Sequence, residues 1–322
     1  MDTIKRAALV PDELAGSRFD QAAARVWPEF SRSRLKAWID AGDLLVDGGR
    51  AAPKRRLEGG ETLTLDAVLE PVVDMQPQPI PLDVVWSDES LFVIDKPAGL
   101  VVHPGAGNPA GTLQNALLAL DPGLAVVPRA GIVHRLDKDT SGLLVIARDV
   151  SVQQRLAAMI EQREVSRVYR AVCQGVLTAG GTIDAPIDRN PRDRKRMAVR
   201  MGGRPATSHY RVIDRFRAQT LVEVTLETGR THQIRVHMAH IRAPLVGDPV
   251  YGGRPRLPGS PAAGLVQVLQ RFSRQALHAT RLGFEHPLLG QPLEFERPPP
   301  EDFQVLIAEL ESDRRAAAEA GR

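Results

Sequence analysis

The sequence predicts an α+β fold in two domains, and three observations carry that expectation. Strand and helix patterns are mixed without the regular alternation of a parallel-sheet protein. The stretch LDVVWSDESLFVIDKPAGLVVHP (residues 82–104) sets short apolar runs between turn residues, as an antiparallel sheet does. A proline-punctuated segment, LEPVVDMQPQPIP (69–81), lacks helical periodicity and separates a small N-terminal module from the rest. The expected organisation is an N-terminal extension over 1–16, a module over 17–68, a linker over 69–83, a main domain over 84–310 and a mobile tail over 311–322.

In the module, Phe19, Ala22, Ala23 and Val26 recur at helical spacing, as do Leu35, Trp38 and Ile39, so helices are expected at Arg18–Val26 and Ser31–Ala41. Ser31 is a candidate N-cap and Gly42 a candidate stop. DLLVDGG (43–49) then reads as a strand and turn, and ETLTLDAV (61–68) as an alternating strand. In the main domain, strands are expected at Val84–Trp86, Leu91–Ile94 and Leu100–Val102, then a helix at Leu113–Leu120. The run Leu143 to Ala147 is apolar throughout and rich in β-branched residues, the pattern of a strand buried on both faces. A helix around Val152–Gln162 follows, and Glu301–Arg322 reads as a helix fraying into an Ala, Glu and Arg tail.

Composition narrows the classes. With 322 residues, 43% hydrophobic and 25% charged, the chain is an ordinary globular protein long enough for two cores. No apolar run is long enough to span a membrane and the N-terminus lacks a signal-peptide core, so a cytoplasmic protein with no membrane partner is expected. The single cysteine, Cys173, excludes an intramolecular disulfide and a cysteine zinc site, and in RAVCQGVL it reads as a core residue. Net charge is only +3, but the basic residues cluster: Arg32, Arg34 and Lys36; Lys54, Arg55 and Arg56; and Arg189, Arg192, Arg194, Lys195, Arg196, Arg200 and Arg204. Three such clusters point to a polyanion partner. Aromatic content of 4% argues against extensive base stacking and for shape and phosphate contacts.

The densest chemistry lies in GIVHRLDKDTSGLLVIA (131–147), where His134, Arg135, Asp137 and Asp139 directly precede the buried strand. Ser141 and Gly142 suit a tight turn that would fix Asp137 in one geometry. Spacing alone serves two ends equally: a reactive carboxylate, or a turn whose Asp and Arg cap each other. HRLDKDTSGLL resembles the signature loop of the RluA/RluD group of pseudouridine synthases, in which the Asp of HRLD is catalytic. Further blocks resemble that family in family order: DKPAGLVVHPG (95–105), RVYRAV (167–172), ETGRTHQIRVHMAHI (227–241), VGDPVYGG (246–253) and RQALHAT (274–280). The resemblance spans roughly residues 84 to 300 and is nearest to the RluD type, which acts on large-subunit ribosomal RNA. SRSRLKAWIDAGDLLVDG (31–48) resembles the S4 RNA-binding module.

These resemblances carry specific expectations. The fold would be that of pseudouridine synthases: a mixed, mainly antiparallel sheet with flanking helices and a central active-site cleft, preceded by an S4-like domain. Asp137 would be the catalytic carboxylate, acting either as a nucleophile at C1′ or as a base at C2′, a choice the sequence leaves open. Tyr169 would lie against the uracil ring and handle the C5 proton; family blocks commonly carry Lys two residues earlier, where this chain has Arg167. Arg235 would pair with Asp137 and aim it, and Ile234 would pack on the base, although strand alternation would point these two to opposite faces. Arg135 would fill the gap left by the extruded nucleotide or, more simply, pair with Asp137. His134, Arg230 and His232 are further substrate-binding candidates. Arg32, Arg34, Lys36, Arg194, Lys195 and Arg196 are the RNA-binding candidates. Isomerising uridine adds and removes no atoms, so no cofactor is expected, and His232, His237 and His240 are not read as metal ligands. Asp139 reads as a loop cap. The expected partner is large-subunit ribosomal RNA or its assembly precursor, and the expected state a monomer. Transfer RNA as substrate, a non-catalytic RNA-binding protein and a nucleoside hydrolase are the competing readings; a hydrolase would need a second carboxylate.

Overall fold

A computed structural model describes residues 3–30, 32–68, 75–105, 107–193 and 196–320. The N-terminal unit runs β1 (Thr3–Leu9), α1 (Phe19–Val26), α2 (Arg32–Ala41), β2 (Leu44–Val46) and β3 (Thr62–Val68). The helical spacing holds: Phe19, Ala22, Ala23, Leu35, Trp38 and Ile39 are buried together with Leu44, Leu63 and Leu65. Gly42 ends α2 at φ +87°, in the left-handed region that a glycine reaches without strain, and its amide bonds the Trp38 carbonyl at 2.9 Å. Ser31 lies outside the described residues.

Residues 3–16, expected as an extension, belong to this unit. β1 pairs antiparallel with β3 from Thr3↔Val68 to Leu9↔Thr62, giving the strand order β1-β3-β2, and Val10 and Leu14 are buried in the unit's core. Only Ile4 and Ala8 of this strand pack inward, too sparse a pattern to register as alternation. The basic residues of α2 have partners within the unit. Arg32 reaches the buried Asp20 at 2.7 Å, Arg34 lies over the Trp38 ring, and Lys36 pairs with Asp40 at 3.2 Å.

The expected linker is only partly a linker. Residues 69–74 are outside the described residues, but Met75, Ile80 and Leu82 pack against the core of the main domain. The Gln78 amide donates to the Asn115 carbonyl (3.0 Å), and the Asn115 side chain returns a bond to the Gln76 carbonyl (2.9 Å).

The main domain contains β4 (Asp83–Ser87), β5 (Leu91–Lys96), α3 (Leu113–Leu120), β6 (Ser141–Ala147), α4 (Val150–Glu161), β7 (Ser166–Gln174), β8 (Gly181–Asp184), β9 (Ile187–Arg189), β10 (Met197–Val199), β11 (Thr207–Arg215), β12 (Gln219–Leu226), α5 (Gln233–His240), α6 (Ala263–Arg271), β13 (Leu277–Glu285), β14 (Pro292–Glu296) and α7 (Glu301–Ala320). Thr112 opens α3 with a reciprocal bond to Asn115, and the Asp149 carboxylate caps α4 by accepting from Ser151 and Val152. One large sheet runs β4-β5-β6-β13-β7-β12-β11-β8, with β14 also on β13. Every pairing is antiparallel except β6 with β13. β6 is buried along its whole length: Leu144 and Ile146 enter one core cluster, Leu143, Val145 and Ala147 another. β9 and β10 form a separate hairpin that carries part of the third basic cluster.

Two further expectations are corrected. Leu100–Val102 is not a strand; Val101 makes a single bridge to Thr112, because Lys96 draws this segment into a turn around its own side chain. The 311–322 tail is not loose over its described part. α7 continues to Ala320, and the buried Asp313 binds Arg217 at 3.1 Å and caps the Ala262 amide at 2.7 Å.

Candidate active site

The signature loop is pinned from three strands. Gly142 on β6 lies beside Ala279 on β13, so close that a Cβ at Gly142 would stand 2.3 Å from the Ala279 carbonyl oxygen, and its φ is +118°. Only glycine fits there. Ala279 in turn pairs with Tyr169 on β7, so one row across the sheet brings the loop and the tyrosine together. Gln275 donates to the Thr140 hydroxyl (2.9 Å), and Ser141 bonds His278 Nδ1 (2.9 Å). From β5, the wholly buried Lys96 donates to three carbonyls: Pro97 at 2.7 Å, Leu100 at 2.9 Å and Lys138 at 2.9 Å. Burial drags its pKa down to about 7, opposed by the charges of Asp139 and Asp137. Three acceptors can be satisfied only by the –NH3+ form, which holds it protonated. Asp139 makes no capping side-chain bond among the described residues and acts instead as one of the charges supporting Lys96.

Asp137 projects into a cleft of about 710 Å³. Its Oδ2 accepts from Arg235 Nη1 at 3.0 Å. Arg235 also makes a two-pronged contact with Asp248, Nε to Oδ2 at 2.7 Å and Nη2 to Oδ1 at 2.9 Å, so one guanidinium bridges two carboxylates. Burial opposes the Asp248 charge, but the Arg235 bonds and the amides of Val250 and Tyr251 outweigh it and hold its pKa below the ordinary carboxylate value. Burial likewise opposes the Arg235 charge, yet the two carboxylates raise its pKa. Ile234 and Arg235 are not on a strand end. They open α5, where successive residues are about 100° apart, so both reach the cleft.

His232, in the left-handed region at φ +58° before α5, places Nε2 3.9 Å from Asp137 Oδ1. Its Nδ1 bonds the Tyr251 hydroxyl at 2.9 Å. That hydroxyl also accepts from the Met197 amide of β10, and when it gives its own proton to Nδ1 the His232 N–H sits on Nε2, towards Asp137. Burial lowers the His232 pKa, in keeping with a neutral ring. Tyr169, 5% exposed, lines the cleft as a phenol whose pKa burial raises.

His134 accepts the Val145 amide on Nε2 at 3.1 Å, so that nitrogen is committed to holding β6 rather than to a ligand. Desolvation and the nearby Arg167 charge push its pKa down to about 3, and desolvation takes His278 down to about 4, both from 6.5. The unfolded chain therefore binds more protons than the folded one between these values and 6.5. Stability is complete above pH 6.5 and falls as pH drops through the window, by up to about 1.4 kcal/mol per pH unit for each histidine. Urea midpoints from pH 7.5 to 4.5 should show this fall, and His134→Gln should flatten it; an unchanged slope would count against a neutral histidine at 134.

A model of the family described as RNA pseudouridylate synthase matches residues 90–240. The chain is 56% identical to ribosomal large subunit pseudouridine synthase D of Xanthomonas campestris pv. campestris, over all of this chain and 97% of the relative. It is 55% identical to the protein of that name from Pseudomonas aeruginosa, over 98% of each chain. The chain belongs to the RNA pseudouridylate synthase family. Among solved structures, human RNA pseudouridylate synthase domain containing 4 superposes with a TM-score of 0.55 at 25% identity, covering 71% of this chain and 93% of that one. The pseudouridine synthase fold, with its mixed and mainly antiparallel sheet, is the one expected.

Within this pseudouridylate synthase cleft the structure gathers Asp137, Tyr169, Ile234, Arg235, Arg230, His232 and His134. Arg135 is exposed on the same wall and makes no ion pair with Asp137, so the simple pairing reading fails. Arg196 lies outside the lining set, with its guanidinium over the Tyr251 ring at 5.4 Å. Arg194 and Lys195 lie outside the described residues. His237 is buried between Ser208 and the Ala185 carbonyl, a structural position. Sequence reasoning missed Asp248, Tyr251 and Lys96. The first two sit in the family-like VGDPVYGG block, but an Asp between Gly and Pro reads locally as a turn residue.

Proposed function

We propose that this enzyme isomerises uridine to pseudouridine in large-subunit (23S) ribosomal RNA, in a stem-loop, with Asp137 as the catalytic carboxylate. The observation that carries the reading is the Asp137 carboxylate held on Arg235 at 3.0 Å inside a cleft that Tyr169 and Ile234 also line. The substrate comes from the names of the full-length relatives. The nucleotide is extruded from its stack so that the ribose meets Asp137, which acts at C1′ or at the C2′ hydrogen. The C1′–N1 bond breaks, the uracil turns between Tyr169 and Ile234, and a C1′–C5 bond forms. N1 gains a proton and C5 loses one, so the reaction balances without a cofactor. Tyr169, a neutral phenol under burial, packs on the ring and stands by the departing C5 proton.

The N-terminal unit and the basic hairpin supply RNA contacts in this reading, through Arg32, Arg34 and Lys36 on one and Arg194, Lys195 and Arg196 on the other. The enzyme works as a cytoplasmic monomer. No helix among the described residues is long and apolar enough to cross a membrane.

The test is tritium release from large-subunit rRNA labelled at uracil C5, with the new pseudouridines mapped, run beside labelled transfer RNA. Release from rRNA alone, localised to a stem-loop, is expected. Release from transfer RNA alone would overturn the substrate, and free uracil in place of pseudouridine would overturn the reaction.

A further inference from the structure

The cleft holds more positive charge than its own carboxylates balance. Arg235 is matched to Asp137 and Asp248, and Arg163 to Glu227, while Glu161 is the one further carboxylate among the described lining residues. Arg129, Arg135, Arg167, Arg204 and Arg230 also line the cleft, and none has a salt bridge among the described residues. An exposed arginine costs little to leave unpaired, because water solvates it. Arg167 is not exposed. It is buried, at 5% relative exposure, and its Nε has no hydrogen-bond partner among the described residues. Keeping a guanidinium out of water without a counter-charge costs several kcal/mol. A fold that retains one at the wall of a cleft is poised for a negative charge that arrives with the ligand.

The surroundings support that ligand. Arg167 and Tyr169 are two apart on β7 and so share a face of the sheet, and both line the cleft. A Cβ at Gly229 would stand 3.0 Å from Arg167 Nη1, so the glycine leaves the guanidinium its room. The next residue, Arg230, is half-buried on the same lip, and burial together with the neighbouring Arg204 charge lowers its pKa. Two guanidinium groups that repel each other are relieved by an anion between or beside them.

We propose that Arg167 forms the floor of an anion subsite, with Arg230 at its lip, and that the anion is the RNA phosphate flanking the target uridine. A base carbonyl offers only a dipole, whereas a phosphate brings a full charge and accepts two parallel N–H bonds from one guanidinium. Seated there, the phosphate would hold the extruded nucleotide by its backbone and set C1′ over Asp137. The identity of the ligand rests on the pseudouridine synthase reading; the existence of the subsite does not.

Arg167→Met removes the charge and keeps an apolar stem of similar length, and Arg167→Lys keeps charge without the fork. In the absence of RNA, inorganic sulfate at constant ionic strength should raise the melting temperature of the wild type by several degrees more than that of Arg167→Met, with Arg167→Lys between them. Without sulfate, Arg167→Met should melt no lower than the wild type, since it loses an unpaired buried charge. An equal sulfate response in wild type and Arg167→Met, or a melting temperature of that variant well below wild type in sulfate-free buffer, overturns the subsite and makes Arg167 a structural residue. With a stem-loop substrate, a neutral methylphosphonate at one of the two phosphates flanking the uridine should lower wild-type kcat/KM at least about tenfold and cost Arg167→Met nothing further. A penalty of equal size in both proteins overturns the phosphate as ligand. RNA turned over by no protein overturns the pseudouridine synthase reading, while the sulfate melting curves still decide the subsite.

Discussion

Asp137→Asn protein is expected to fold, to bind its RNA with wild-type affinity, and to form no pseudouridine above a background at least about 10^4-fold below wild type. The substitution keeps the shape and one acceptor oxygen, so Arg235 retains a neutral partner at 3.0 Å and its two bonds to Asp248. What is lost is the carboxylate that acts at the ribose, a group no neighbour replaces: Asp248 is fully buried and spent on Arg235 and two backbone amides. Single-turnover tritium release, filter binding and thermal melting on one preparation separate the steps. Residual activity within tenfold of wild type would remove Asp137 from the chemistry. Loss of RNA affinity in parallel with rate would instead make it a binding residue.

The legibility of this chain follows from how local each determinant is. Period and capping are local, so α3 was readable to the residue and β6 as a strand buried on both faces. β1 was not readable, because its place in the sheet is decided by β3, more than fifty residues away in sequence, and its own burial is slight. The same distinction divides the site. The carboxylate Asp137 stood out because charge piled against an apolar run is anomalous within one short window, and the resemblance then chose between its two meanings. Lys96 and Asp248 each look like turn residues in their own windows. Their roles arise from carbonyls at Leu100 and Lys138 and from a guanidinium at Arg235, contacts that exist only once the sheet has assembled. His134 carries a second duty that its window does not show: it lines the cleft, and the fold uses its Nε2 to hold the Val145 amide, a contact made only once β6 is in place.

Replacing Arg235 should damage stability and catalysis together, and the two losses should come apart in a second variant. Arg235→Leu leaves the Asp248 carboxylate, with 0% side-chain exposure, facing an apolar group, and stranding one member of a buried pair costs about 3–5 kcal/mol. Its direction with pH is fixed by the sign of the shift. In the wild type the Asp248 pKa lies below its unfolded value, so its contribution is present above that value and is lost as pH falls. Without Arg235, burial dominates and lifts that pKa above the unfolded value, so the deficit of the variant should shrink as pH falls towards 5. Adding Asp248→Asn removes the stranded charge, and urea midpoints of the double variant should recover most of the loss. Activity should not recover, because nothing then aims Asp137. Arg235→Lys should keep more stability than Arg235→Leu, yet lose on the order of 10^2-fold in kcat, since a point charge cannot span both carboxylates in the geometry of the fork. A double variant that regained wild-type turnover would show that Arg235 serves only to neutralise Asp248, and that the 3.0 Å contact with Asp137 is incidental.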